Sequence, residues 1–211
     1  MKITKYEHAC VTLEEQGKKV IIDPGDFTPT FGELANTVAV VVTHVHPDHF
    51  APGSLQKIID ANPQVKIFTT NEVAEQFQKP NVSVVVAGQT ENIGPFKLTF
   101  RGELHAVIHP DFSRNKNTGV LVNDSFYYPG DSFTLPEQPV NVLAIPASAP
   151  WLKMAETIDF LRAVKPKACF PTHDALLSER GHATFNKWIG QASEHAGIGF
   201  GVLQPGQSMD S

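Results

Sequence analysis

The sequence has 211 residues, which is enough for a substantial core and short for two ordinary domains. Hydrophobic residues make up 41%, and the formal net charge is −5 without a basic cluster, so nucleic acid and an anionic membrane surface are disfavoured as partners. We therefore predict one domain over 1–211; oligomeric state is not readable from these features.

The start of the chain and its apolar runs predict where the protein is found. "MKITKYEHACVTLEEQGKKV" lacks the apolar core of a signal peptide. No run approaches the roughly 20 apolar residues that cross a bilayer. We expect a cytoplasmic location without membrane attachment, and Cys10 and Cys169 as reduced, buried thiols.

The first part of the chain predicts strands, followed by strand–helix pairs. Gly17 lies between the alternating runs "CVTLEE" and "KVIIDPG", which predicts a hairpin after an opening strand "KITKYEH". "TVAVVV" is apolar on both faces, which is typical of a strand covered from both sides. Helices are predicted in "PGSLQKIIDAN", with Pro52 near its start, and in "NEVAEQFQK", capped by Asn71, with the strand "VKIFTT" between them.

The second part continues with strands and two further helices. Strands are predicted in "VSVVVA", "PFKLTFRGELH", "TGVLVND", "FYYPGDS", "VNVLAIPA", "ACFPTHD" and "IGFGVLQPG". Helices are predicted in "AETIDFLRAVK", which ends before Pro166, and in "ATFNKWIGQASEHAG", which Gly197 caps. This order is compatible with two packed sheets that have helices outside.

A dense group of titratable residues follows the strand "TVAVVV". In "THVHPDHF", His44 and His46 are two apart, so their side chains leave the same side of an extended segment, and Asp48 and His49 follow on the turn. Zinc, manganese and iron accept imidazole and carboxylate ligands. Without a cation, clustering these groups at a buried strand end would be costly, so the motif predicts a metal site.

"THVHPDH" resembles the signature of the metallo-β-lactamase fold superfamily, and weaker matches follow in order. They are "ELHAVIH", "YYPGDS" and "FPTHD", so the resemblance covers nearly the whole chain. The compact size and the segments "LHAVIHPD", "APW" and "PTHDALL" are similar to small bacterial hydrolases related to ascorbate-6-phosphate lactonases.

The resemblance implies an α+β fold, a four-layer αββα sandwich of two mixed sheets, with a dinuclear site at the sheet edges. One ion would be held by His44, His46 and His105, the other by Asp48, His49 and His173, and Asp131 would bridge them. Zinc is the first expectation for both ions, with manganese or iron as alternatives.

The third histidine ligand has two candidates in "LHAVIH". Alignment of the preceding strand with the family's pattern favours His105 over His109. His109 would then face the substrate as a proton donor or phosphate ligand, and a histidine in a solvated loop is the equal alternative.

Four further residues are weighed between a site role and a packing role. Asp23 is predicted equally as a partner of a ligand imidazole and as a turn former. Thr43 is interpreted first as a plain strand end, His8 as a core or edge histidine, and Trp151 as packing beneath a helix start.

These features favour a hydrolase in which metal-bridging hydroxide attacks a small ester, lactone or phosphodiester. Asp48 would bind one ion and orient the nucleophile. No G-x-S-x-G elbow, P-loop or dinucleotide fingerprint is present. Two alternatives stay open: a metal-bound ligand-sensing or regulatory module without turnover, and a di-iron redox protein.

Overall fold

The computed structural model describes residues 1–211, which form fourteen strands and four helices. The strands are β1 Lys2–Lys5, β2 Val11–Glu15, β3 Lys18–Ile22, β4 Thr37–Val42, β5 Lys66–Thr69, β6 Val82–Val84, β7 Thr90–Ile93, β8 Phe96–Arg101, β9 Gly119–Val122, β10 Phe126–Tyr128, β11 Val142–Pro146, β12 Ala168–Thr172, β13 Gly199–Phe200 and β14 Ser208–Asp210. The helices are α1 Pro52–Ala61, α2 Asn71–Gln76, α3 Met154–Val164 and α4 Glu179–Ala196.

The strands form two seven-stranded mixed sheets. The first has the order β14-β1-β2-β3-β4-β5-β6, and the second β13-β12-β11-β10-β9-β8-β7. Each sheet changes from antiparallel to parallel pairing along its width, with β3, β4 and β5 parallel in the first and β10, β11 and β12 parallel in the second.

The alternation of side chains along β4 shows how one strand serves two layers. Ala39 and Val41 belong to the cluster of 19 buried residues that joins the two sheets. Val40 and Val42 point the other way, into a cluster with Leu55 of α1. A strand covered on both faces is apolar at every position, which explains "TVAVVV".

The helices cover the outer faces of the sheets. Leu55 and Ile58 of α1 pack on the first sheet. Phe160 of α3 and Phe185 and Ile189 of α4 pack on the second. The predicted four-layer αββα sandwich is therefore confirmed. None of the four helices combines the length and apolar character that a membrane crossing requires.

Several predicted boundaries differ from the structure. The first strand ends at Lys5 rather than continuing to His8, whose backbone is left-handed. The strand predicted to reach His105 ends at Arg101, because Gly102 has a φ of 76°. His105 therefore lies on a loop after the strand, held by a hydrogen bond from its N–H to the Asn115 carbonyl.

Helix starts and the last strand also differ. Thr70, not Asn71, precedes α2, and no side chain caps that helix. The last helix begins at Glu179, because Ser178 caps it by accepting a hydrogen bond from the Gly181 N–H. The final strand is not "IGFGVLQPG", of which only Gly199–Phe200 pairs; Ser208–Asp210 instead adds to β1 at the edge of the first sheet. The hairpin at Gly17 is confirmed, and Cys10 and Cys169 are free and buried.

Candidate metal centre

Two groups of metal-ligating side chains converge at one edge of the paired sheets. One consists of His44, His46, His105 and Asp131, and the other of His8, Asp48, His49 and His173. In each, the donor atoms all lie within 4.8 Å of one another. Most of these residues follow the carboxyl end of a strand: β4 for His44 to His49, β8 for His105, β10 for Asp131 and β12 for His173.

In the first group, the imidazole nitrogens and the Asp131 carboxylate lie close together. His44 Nε2 lies 3.1 Å from His46 Nδ1, and His105 Nε2 lies 3.3 Å from Asp131 Oδ2. His44 and His105 are buried, whereas His46 is half-buried and borders the surface.

In the second group, Asp48 is the carboxylate that the histidines share. His173 Nε2 lies 3.2 Å and His49 Nε2 3.8 Å from Asp48 Oδ2. His8 Nε2 lies 3.0 Å from the same oxygen.

Asp131 lies between the two groups. Its Oδ2 is 3.3 Å from Nε2 of both His105 and His173, and its Oδ1 is 3.3 Å from His49 Nε2. The predicted bridging carboxylate is therefore the one that contacts imidazoles from both groups.

The protonation of the histidines fits a pair of cations. The Nδ1–H of His49 donates to Asp23 Oδ2 at 2.6 Å, that of His105 to the Ala106 carbonyl at 2.6 Å, and that of His173 to the Ser148 carbonyl. In the neutral form each of these imidazoles has its single proton on Nδ1, so its Nε2 offers a lone pair. All three Nε2 atoms and Asp131 Oδ1 are buried without a hydrogen-bond partner, which leaves acceptors that divalent metals satisfy.

Asp23 and Thr43 fix the orientation of two of these imidazoles. Asp23 is fully buried, and it accepts hydrogen bonds of 2.7 Å from both the N–H and the Oγ1 of Thr43. Because the Thr43 hydroxyl proton is committed to Asp23, its oxygen accepts from the Nδ1–H of His44 at 3.0 Å. Asp23 therefore orients the His49 ring directly and the His44 ring through Thr43. Of its two predicted roles, the structure supports that of a partner of an imidazole, in addition to any role in the turn.

Trp151 holds the carboxylate between the groups. Its indole N–H donates to Asp131 Oδ2 at 2.9 Å, and its ring lies edge-on to Phe133 with centroids 5.1 Å apart. The packing role predicted for Trp151 is thus incomplete. A sequence signal was present, because "SAPW" follows β11, the neighbour of the two strands that lead to Asp131 and His173.

Three non-glycine residues of the site have a left-handed backbone, and one close backbone approach requires a glycine. His8, Asp23 and His173 have φ values of 57°, 49° and 56°, a left-handed conformation that costs about 1 kcal/mol or more in non-glycine residues and clusters at functional sites. In "DPG", a Cβ on Gly25 would lie 2.1 Å from the Asp48 carbonyl carbon, so only glycine lets that loop support Asp48.

Burial and mutual charge shift the pKa values in opposite directions. Burial lowers the pKa of His44 well below its usual value and keeps that ring neutral. Burial also disfavours the charged form of His173, but the Asp131 carboxylate outweighs it and raises the pKa of His173 to about 9. For Asp48, burial is outweighed by the adjacent imidazoles of His173 and His8, which hold its pKa well below the usual range.

His109 does not join either group. It lies on the exposed loop 106–114, its Nδ1 accepts from the Asp111 N–H at 3.2 Å, and its ring is edge-on to Phe112. The same loop borders the cluster, because Ile108, Phe112 and Arg114 line a small cavity with His46 and His105.

Comparison with known proteins gives the family. The family model described as a beta-lactamase superfamily domain matches residues 2–173. Protein Rv0786c of Mycobacterium tuberculosis is 33% identical over 210 residues, covering 96% of both chains. A UPF0173 metal-dependent hydrolase of Metallosphaera sedula is 31% identical over 140 residues, covering 59% of this chain and 58% of that protein.

Solved structures show the same fold. The metallo-beta-lactamase fold protein YhfI from Bacillus subtilis superposes with a TM-score of 0.75 and 17% identity, covering 100% of this chain and 98% of that one.

Proposed function

The chain belongs to the metallo-β-lactamase superfamily of metal-dependent hydrolases, and we propose that it is a dinuclear enzyme that hydrolyses a small ester, lactone or phosphodiester. The observation that carries the proposal is the pair of adjacent donor groups that share Asp131. In this proposal residues 1–211 act as one hydrolase domain.

The two donor groups support one assignment of the ligands. His44, His46 and His105 would hold one ion, Asp48, His49 and His173 the other, and Asp131 would bridge them. The donors suit zinc first, and manganese or iron as alternatives. When bound, two divalent ions lower the pKa of water from about 15.7 to about 7 and polarise the scissile group.

The protein's own groups would orient the reactants. The side chain of Asp48 is 18% exposed, so it is the carboxylate of the second group that a reacting water can reach, and it can accept a hydrogen bond from that water. Trp151 would orient the Asp131 carboxylate, and Asp23 would orient the His49 imidazole, through their hydrogen bonds. His109, on the exposed loop 106–114 beside the cluster, would contact the substrate rather than a metal ion.

The edge of the centre on the His46 side favours an ester or lactone with an apolar part. Ile108 is 43% and Phe112 65% exposed. The one cation of the small cavity there, Arg114, is already bound to the His105 carbonyl through Nε at 2.8 Å and Nη2 at 2.6 Å. A site for a phosphodiester would be expected to offer a cationic side chain that is free to bind the phosphate.

A metal-reconstituted substrate screen tests the proposal. Chelator-treated protein should lose hydrolysis of p-nitrophenyl esters, lactones and bis(p-nitrophenyl) phosphate, and added zinc or manganese should restore hydrolysis of at least one class. Tight metal binding without turnover on any of these would favour the sensing or regulatory alternative. Iron with visible absorbance would favour the redox alternative.

A further inference from the structure

His8 presents a choice between two roles. Its Nε2 lies within 4.8 Å of the donor atoms of Asp48, His49 and His173, which would allow it to complete a four-residue ligand set. It is fully buried, and it lies in the turn between β1 and β2, far in sequence from the other three residues.

The hydrogen bond on the other ring nitrogen decides between the roles. The Ala175 N–H donates to His8 Nδ1 at 3.2 Å, so Nδ1 carries the lone pair. The proton of the neutral ring is therefore on Nε2, which donates to Asp48 Oδ2 at 3.0 Å. An imidazole nitrogen that carries a proton cannot ligate a metal ion.

The four other buried histidines of the site have the opposite arrangement, and His44 donates from Nδ1 to Thr43 Oγ1. In His49, His105 and His173, Nδ1 donates to an oxygen, and Nε2 is unpartnered and faces the centre. His8 is the buried site histidine whose proton points toward the centre instead of away from it.

We propose that His8 is a positioning residue, outside the ligand set, that holds the Asp48 carboxylate in place by donating a hydrogen bond to its Oδ2. This inference rests on the metal centre proposed above. Neighbouring rings restrain the imidazole of His8, whose centroid lies 4.0 Å from that of His173 and 5.0 Å from that of Phe27. The backbone of His8 is held as well, because the backbone N–H of His173 donates to the His8 carbonyl at 2.8 Å.

Two substitutions separate a hydrogen-bond donor from a ligand. His8→Gln keeps an N–H near the position of Nε2, whereas His8→Leu keeps bulk and removes the donor. Zinc stoichiometry by elemental analysis and zinc affinity by competition with a chromophoric chelator should show two ions in wild type and in both variants. Affinity at one site should weaken about 10- to 100-fold in His8→Leu, and much less in His8→Gln.

Two results would overturn the inference: loss of one ion in both variants, as expected for a ligand, or unchanged zinc affinity in His8→Leu. If His8→Leu fails to fold, ¹⁵N NMR of the wild-type histidine rings gives the same answer. With and without zinc, His8 should carry its proton on Nε2; a zinc-induced shift of that nitrogen would contradict the proposal. The metal-free spectrum tests His8 by itself, whereas a wild-type protein that binds no zinc would instead refute the metal centre.

Discussion

Asp23 and His49, which are 26 positions apart in the chain, form a fully buried hydrogen bond of 2.6 Å between a carboxylate oxygen and Nδ1. Asp23 also accepts from the N–H and the hydroxyl of Thr43, so both of its oxygens have donors. The carboxylate therefore connects the loop after β3 to the histidine-rich segment after β4.

Asp23→Asn should lower the free energy of unfolding by about 1–3 kcal/mol and weaken zinc affinity about 10- to 100-fold. The amide NH₂ must face either Thr43 or His49, both of which donate, so a buried donor is left unsatisfied. Urea unfolding and chelator competition measure the two effects. The matched control is Asp26→Asn, which changes an exposed side chain and should alter stability by less than about 0.5 kcal/mol. Equal effects of the two changes would contradict this role of Asp23.

Trp151→Phe should lower kcat without removing either ion. The phenyl ring can keep the edge-on contact with Phe133 but cannot donate to Asp131, and a hydrogen bond to a charged group contributes about 1.5–3 kcal/mol. Steady-state kinetics and elemental analysis measure the two quantities. Trp188→Phe alters an exposed tryptophan of α4, which contributes to neither donor group, and should behave as wild type. Unchanged kcat in Trp151→Phe would show that Asp131 does not need this donor.

His105→Ala and His109→Ala should separate a ligand from a substrate contact. His105 Nε2 is buried and faces the centre, so its removal should reduce the zinc content from two ions toward one. His109 lies outside both groups, so His109→Ala should keep two ions and lower only kcat/KM. Metal loss in the His109 variant together with full loading of the His105 variant would reverse the assignment.

The metal-free protein should become less stable as the pH rises from about 6.5 to about 9. Asp131 raises the pKa of His173 to about 9 in the folded protein, against about 6.5 when unfolded, so the folded state binds this proton more tightly and loses that advantage as the proton leaves. Urea midpoints of metal-free protein at the two pH values measure this, and His173→Gln should flatten the difference. A midpoint that rises with pH would contradict the prediction. Zinc affinity should increase over the same range, because the ligand must be deprotonated.

Phe112→Ala should reduce the preference for longer acyl chains. Phe112 is exposed beside His46 and His105, and loss of about 1 kcal/mol of apolar contact corresponds to roughly a fivefold change. The measurement is the ratio of kcat/KM for p-nitrophenyl hexanoate and acetate. Leu135→Ala removes an exposed apolar side chain beside the end of α3 and should leave the ratio unchanged. If the ratio of kcat/KM for the two esters were the same in wild type and in the Phe112 variant, loop 106–114 would not be part of the substrate site.

Local sequence patterns correctly predicted strands that are buried on both faces, since such strands are apolar along their whole length. "TVAVVV" and the motif that follows it lie where the sequence indicates, because one strand and one turn bring His44 to His49 together. Strand ends set by the backbone were harder: Gly102 ends β8 early, and the first strand ends at Lys5, before the left-handed His8. The short final strand depends on pairing with β1, some 200 residues away, which no local pattern records.

The hydrogen-bond partners of the proposed metal ligands were the least predictable part of the site. Asp23 had a sufficient local explanation as a turn former, and Trp151 had one as a packing residue. Their hydrogen bonds to His49 and Asp131 depend on how distant loops meet at the sheet edge, and only the three-dimensional arrangement determines that.

The most direct test of the central claim is the number of divalent ions bound per chain, measured by elemental analysis of zinc-loaded wild type beside His44→Ala and His49→Ala. We predict two ions in the wild type and a loss of one in each variant, from different donor groups, because the carboxyl ends of β4, β8, β10 and β12 bring two donor groups together. A wild-type protein without bound ions, or variants that bind as many as wild type, would contradict the account.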